Sequence, residues 1–67
     1  MATWELHYLE NHNAEAERWS THDTGEAALR SACAIRDRHY ILYIKGPGKN
    51  ERIERDEIVA WCVAAKF

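Results

Sequence analysis

The chain has 67 residues, of which 46% are apolar and 30% charged, with a formal net charge of −2. That length makes one domain, and folding at this size buries only about 60% of the surface that the unfolded chain exposes, so the core must be thin. The composition excludes a disordered tail, and no stretch approaches the roughly 20 apolar residues of a membrane helix.

The first strand is expected over Thr3-Trp4-Glu5-Leu6-His7-Tyr8-Leu9, where Trp4, Leu6 and Tyr8 alternate with Thr3, Glu5 and His7. Glu10-Asn11-His12-Asn13-Ala14 is a loop of turn-forming residues. A second strand follows over about 16–21, with Glu17, Trp19 and Thr21 on one face. The pair should close as a hairpin anchored by its tryptophans, because aromatic cross-strand pairs stabilise a sheet.

The firmest element is a helix over about 23–38. Ala28, Leu29, Ala32, Cys33 and Ile35 fall on one arc at helical spacing. Asp23 is the expected N-cap, with Glu26 three residues on completing a capping box, and Arg36 and Arg38 suit the negative end of the helix dipole. The outer side is filled with small residues, Ala27, Ser31 and Ala34, which reads as a solvated face.

His39-Tyr40-Ile41-Leu42-Tyr43-Ile44-Lys45 is almost wholly apolar and predicts a central strand. Strict alternation would point Tyr40, Leu42 and Ile44 one way and Ile41 and Tyr43 the other. Gly46-Pro47-Gly48-Lys49-Asn50 is a turn whose glycines permit positive φ. Glu51-Arg52-Ile53-Glu54-Arg55 returns as a charged edge strand, and its charges discourage sheet-to-sheet aggregation. The last stretch is ambiguous between helix and strand. Asp56 as N-cap, Glu57 in the first turn and the alanines near the end favour a short helix over about 56–65, with Ile58, Trp61, Cys62 and Ala65 on one side. The fold class is therefore α+β, ββαββα, an antiparallel sheet packed on the central helix.

Residues that could carry chemistry are few. Cys33 and Cys62 stand 29 positions apart in apolar surroundings, form no paired-thiol motif, and are expected to be buried reduced thiols. The four histidines are not spaced with each other or with the cysteines as zinc ligands usually are. The Gly48-Lys49 pair lacks the glycine spacing and hydroxyl of a phosphate-binding loop. Neither an enzyme nor a cofactor or metal is expected.

Charge is uneven. Residues 1–26 hold six acids against Arg18, and residues 27–67 hold five acids against eight bases, a split of −5 and +3. Such asymmetry favours head-to-tail self-association or gives a partner two unlike patches to read. The basic second half, with Tyr40 and Tyr43 interleaved, has the residue types of a single-strand groove. Its alternating glutamates and the acidic total argue against nucleic acid.

The run from Trp19 to Ile53, with Thr21 before an alanine-rich helix, an aliphatic strand, the Gly-Pro-Gly turn and the Glu-Arg-Ile return, resembles small bacterial ββαβ(β) domains of unknown function. That resemblance implies the fold and brings no catalytic residues. In size and mild acidity the chain is similar to small phage or mobile-element inhibitors such as anti-CRISPR proteins, which occlude a partner's surface.

The expected function is a non-enzymatic protein-interaction module. It self-associates as a homodimer through the sheet face that the central helix leaves uncovered, with Tyr40, Tyr43, Trp61, Arg36 and Arg38 as interaction residues. The alternatives are an inhibitor of a nucleic-acid-processing partner and a weak nucleic-acid binder. The opening residues Met1 to Glu5 carry neither a basic nor an apolar leader segment, so the expected location is the cytoplasm, with no membrane partner.

Overall fold

The computed structural model describes residues 3–66, so the Met1-Ala2 start and Phe67 lie outside the described residues. The elements run β1 (Trp4–Leu9), β2 (Glu17–His22), α1 (Gly25–Ile35), β3 (Tyr40–Lys45), β4 (Arg52–Glu54) and α2 (Arg55–Ala64). The strands form one antiparallel sheet in the order β2-β1-β3-β4. The ββαββα order expected from the sequence is the one observed, and the last stretch is a helix.

The core is a single cluster: Leu6, Ile41 and Ile44 from the sheet, Ala28, Ala32 and Cys33 from α1, and Ile58 and Cys62 from α2. Both helices therefore cover the same face of the sheet. Ala28 and Ala32 are fully buried, and having no side chain beyond Cβ they let α1 lie close to the strands. Trp61 is half-buried against this core, whereas Ala65 lies beyond α2 and is exposed.

The helix ends differ from expectation. Thr24 is the N-cap of α1, and its hydroxyl accepts from the Ala27 amide at 3.0 Å. The start thus falls one residue later than Asp23, and Glu26 sits too early for a capping box; it pairs with Arg30 one turn on, at 3.7 Å. α1 closes at Ile35, whose carbonyl accepts from the amides of Arg38 and His39 at 2.9 and 2.8 Å. Arg36 and Arg38 consequently stand in the turn after the helix and not in its last turn. α2 begins at Arg55 with Glu54 as its cap residue, so Asp56 lies in the first turn, where its charge favours the helix start.

Two strand expectations are corrected. His7 pairs with Tyr43, but Tyr8 pairs with Ile41, so Leu42 is an extra residue on β3. This β-bulge interrupts the alternation and sends both Ile41 and Ile44 into the core. The tryptophans do not anchor the hairpin as a pair either. Trp4 lies opposite His22 and packs on the core, whereas Trp19 lies opposite His7 and is exposed.

The expectation of reduced thiols is overturned: Cys33 and Cys62 form a disulfide. Distance along the chain carried no information about distance in space. α1 and α2 lie side by side on the sheet and bring the two Cα atoms to 5.6 Å, within the range a disulfide spans. On the chain-entropy account, closing a loop of this size stabilises the fold by about 3–4 kcal/mol. Reduction, or the double substitution Cys33→Ala with Cys62→Ala, is expected to lower the unfolding free energy by about that amount. Urea denaturation with and without a phosphine reductant measures it.

No described glycine has a positive φ, so the 46–50 turn uses its glycines for space and not for handedness. A Cβ on buried Gly46 would lie 2.8 Å from the Trp4 ring and 2.7 Å from Glu51 Cβ. Gly46→Ala should therefore cost roughly 1–3 kcal/mol, as overpacking does, read as a lowered denaturation midpoint.

Candidate functional site

With both helices on one side, the other face of the sheet is open. One row of side chains crosses it from edge to edge: Trp19 on β2, His7 on β1, Tyr43 on β3 and Arg52 on β4. The register sets the row, since His7 lies between Trp19 and Tyr43. The His7 and Tyr43 rings stack at 4.6 Å between centroids with 15° between planes, and the His7 and Trp19 rings lie at 6.2 Å and 27°. The Arg52 guanidinium sits 3.9 Å over the Tyr43 ring, a cation–π contact, and is also bonded to the Glu54 carboxylate. That hydrogen bond to Glu54 is the main reason the Arg52 pKa is raised further above its already high ordinary value.

His7 is only 8% exposed although it belongs to the open face, because its neighbours in the row cover it. Its Nε2 lies 3.0 Å from Glu5 Oε1 and its Nδ1 3.4 Å from Glu17 Oε2, the latter without hydrogen-bond geometry. Trp19, by contrast, is 62% exposed. The β1 and β2 half of the face thus carries Glu5 and Glu17, and the β3 and β4 half carries Lys45 and Arg52, the latter offset by Glu54.

A second cluster gathers at the end of the sheet where α1 stops. Arg36, Arg38 and Arg55 line one cavity of about 230 Å³ together with His12, His39, Tyr40, Asn11 and Asp37. Two contacts build its walls. His39 Nδ1 donates to the Glu10 carbonyl at 3.0 Å, which fastens the β1–β2 loop beside the 36–39 turn. The Arg55 guanidinium lies 4.7 Å over the Tyr40 ring.

Of the residues singled out in the sequence, Tyr43 is on the open face, Tyr40, Arg36 and Arg38 share the arginine cavity, and Trp61 is apart from both, packed against the core. The sequence reading missed His7, Trp19 and Arg52 as members of one row, because membership depends on register across four strands. It also missed Arg55 and His39 as neighbours of Arg36 and Arg38. Among the described residues no three histidine, cysteine or acidic side chains are placed to hold a metal ion. Ser20 Oγ and His22 Nε2 are 2.9 Å apart on the edge strand, two residues apart in sequence.

These features define a small α+β domain with helices on one face, an exposed aromatic row on the other and a basic corner. Comparison with protein-family models, curated proteins and solved structures finds no match for this chain. No helix among the described residues is long and apolar enough to cross a membrane.

Because Trp19 is largely exposed at an edge strand, Trp19→Ala should change the stability of the dilute protein by no more than about 1 kcal/mol, the ceiling for a cross-strand pair. Thermal unfolding checks this, and shows that variants at this position report on contacts beyond the fold.

Proposed function

We propose that the protein is a non-enzymatic contact module that pairs with a second copy of itself through the open sheet face. The observation that carries this reading is the Trp19–His7–Tyr43–Arg52 row, with a 62% exposed tryptophan at one end. Tryptophan and arginine are the residue types that dominate contact energetics. The face is also self-complementary. A two-fold axis running along the strands between β1 and β3 would set the Glu5 and Glu17 half of one copy over the Lys45 and Arg52 half of the other, an isologous contact.

The magnitude fits a reversible dimer. Strands about 4.8 Å apart with residues at about 3.3 Å each, three strands of six residues and one of three, give a face of roughly 330 Å² in plan. Two such faces lie below the roughly 1,600 Å² of a standard stable interface, so association belongs to the weak, concentration-dependent class. The inhibitor reading uses the same kind of contact but has no feature of its own here. The disulfide supports an oxidising compartment over the cytoplasm expected from the sequence, since such bonds persist where thiols are not kept reduced.

Sedimentation equilibrium from micromolar to millimolar concentration is expected to show a monomer–dimer equilibrium. Glu5→Lys and Lys45→Glu should each weaken it by about tenfold, and the double variant should recover most of the loss, because Glu5 and Lys45 share a row of the register and the swap restores opposite charges across the two-fold. A monomer throughout, or a double variant no better than the singles, overturns the reading.

A further inference from the structure

We infer that the cavity between the end of α1 and the start of α2 is a binding site for a phosphate group, held by Arg36, Arg38 and Arg55. This is a second surface, distinct from the aromatic row, and it does not depend on self-association.

Three guanidinium side chains line one cavity, opposed by the single carboxylate of Asp37. Counted over the lining side chains alone, three arginines stand beside one carboxylate, a lining that suits a phosphate group. Guanidinium groups present planar forks of N–H donors that suit phosphate oxygens in pairs. The chain as a whole is acidic, at −2, so this concentration of arginine runs against the overall charge.

The fold spends contacts on holding the cavity together. Arg36 and Arg38 lie in the turn closed by the two hydrogen bonds to the Ile35 carbonyl, so their backbone is fixed. Arg55 is the first residue of α2, and its guanidinium is held over the Tyr40 ring at 4.7 Å. The hydrogen bond from His39 to the Glu10 carbonyl brings the loop carrying Asn11 and His12 to the opposite wall. Residues from three separate segments of the chain thus converge on one hollow. The helix dipole does not account for Arg55, which stands at the positive end of α2, where an arginine is unfavourable to the helix.

Size narrows the ligand. About 230 Å³ is less than the roughly 300–1,000 Å³ of a site that encloses a drug-sized molecule. The hollow holds a phosphate or diphosphate group and leaves whatever bears it outside, so the group can come from a free phosphorylated compound or from a nucleic-acid backbone.

The test is titration of the full chain with inorganic pyrophosphate and, separately, with a short single-stranded oligonucleotide at low salt. Binding is followed by backbone and histidine NMR shifts. Saturable shifts are expected at residues 36–40, 12 and 55. Arg38→Glu and Arg55→Glu should each weaken binding by about tenfold or more, as expected for losing a charge-assisted contact.

Lys49→Glu is the control. It makes the same charge change at the turn hollow lined by Lys45, Lys49 and Arg52. It should leave the affinity within about twofold, since only screened long-range charge is altered. Equal or tighter binding of pyrophosphate supports a free phosphorylated ligand. Much tighter oligonucleotide binding, still lost in Arg38→Glu, supports a strand whose phosphate occupies the same cavity. Absence of saturable binding by either probe overturns the inference, as does an affinity that falls as much in Lys49→Glu as in the arginine variants.

Discussion

The structure depends on the pairing of α1 and α2 over one face of the sheet. Ala28 and Ala32 let α1 approach, Ile58 and Cys62 bring α2 onto the same apolar layer, and Cys33–Cys62 ties the two helices covalently. A four-stranded sheet has two faces, and in this chain every helical residue of the core goes to one of them. The open face follows from that choice. Had α2 crossed to the other side, Trp19, His7 and Tyr43 would be core residues and there would be no aromatic surface. A thin core, with eight buried apolar side chains among the described residues, also gives the cross-link its importance, because a small domain has little burial to offset the entropy of the chain.

The open face solves a local problem as well. An imidazole with two carboxylates nearby is polar, yet His7 is buried there to 8% exposure. The stacked Tyr43 and the neighbouring Trp19 cover its ring, and Glu5 satisfies one nitrogen. The same carboxylates give the β1 and β2 half its negative charge. Opposite them, Arg52 sits over the Tyr43 ring and is bonded to Glu54, so two contacts within the chain orient its guanidinium. In the self-association proposed above, ordering that side chain in the free protein would reduce the entropy lost, which matters most where the area available is small.

Much of the fold was legible because its signals are local. Alternation marked β1, the alanine-rich period marked α1, the Gly-Pro-Gly turn separated β3 from β4, and Asp56 with Glu57 tipped the last stretch to helix. What failed were relations between distant segments. The cysteines look like two inert small hydrophobes in sequence, since nothing in 29 intervening positions says that α1 and α2 will lie together. The bulge at Leu42 is equally silent: Tyr40-Ile41-Leu42-Tyr43-Ile44 is apolar at every position, so the pattern cannot show which residue is extra. Only the partner strand decides, by placing His7 against Tyr43 and Tyr8 against Ile41. The capping error at Asp23 has a similar cause, because Asp23 and Thr24 are both competent caps and the choice rests on which one is aimed at Ala27.

The candidate surfaces show the same division. Tyr43, Tyr40, Arg36 and Arg38 stood out as residue types, but grouping them as one interaction set was a statement about space that the sequence could not make. The fold separates them: Tyr43 joins residues 7, 19 and 52 on the open sheet, while the other three join residues 12, 39 and 55 at its end. The charge asymmetry is resolved in the same way. Arg52 and Lys45 lie across the sheet from Glu17 and Glu5, whereas Arg36, Arg38 and Arg55 collect where α1 stops and α2 starts. An excess of +3 over residues 27–67 is thus divided between two surfaces with different chemistry. One is flat, aromatic and balanced by glutamates, which suits a protein face. The other is concave and lined by three arginines, which suits a small anion.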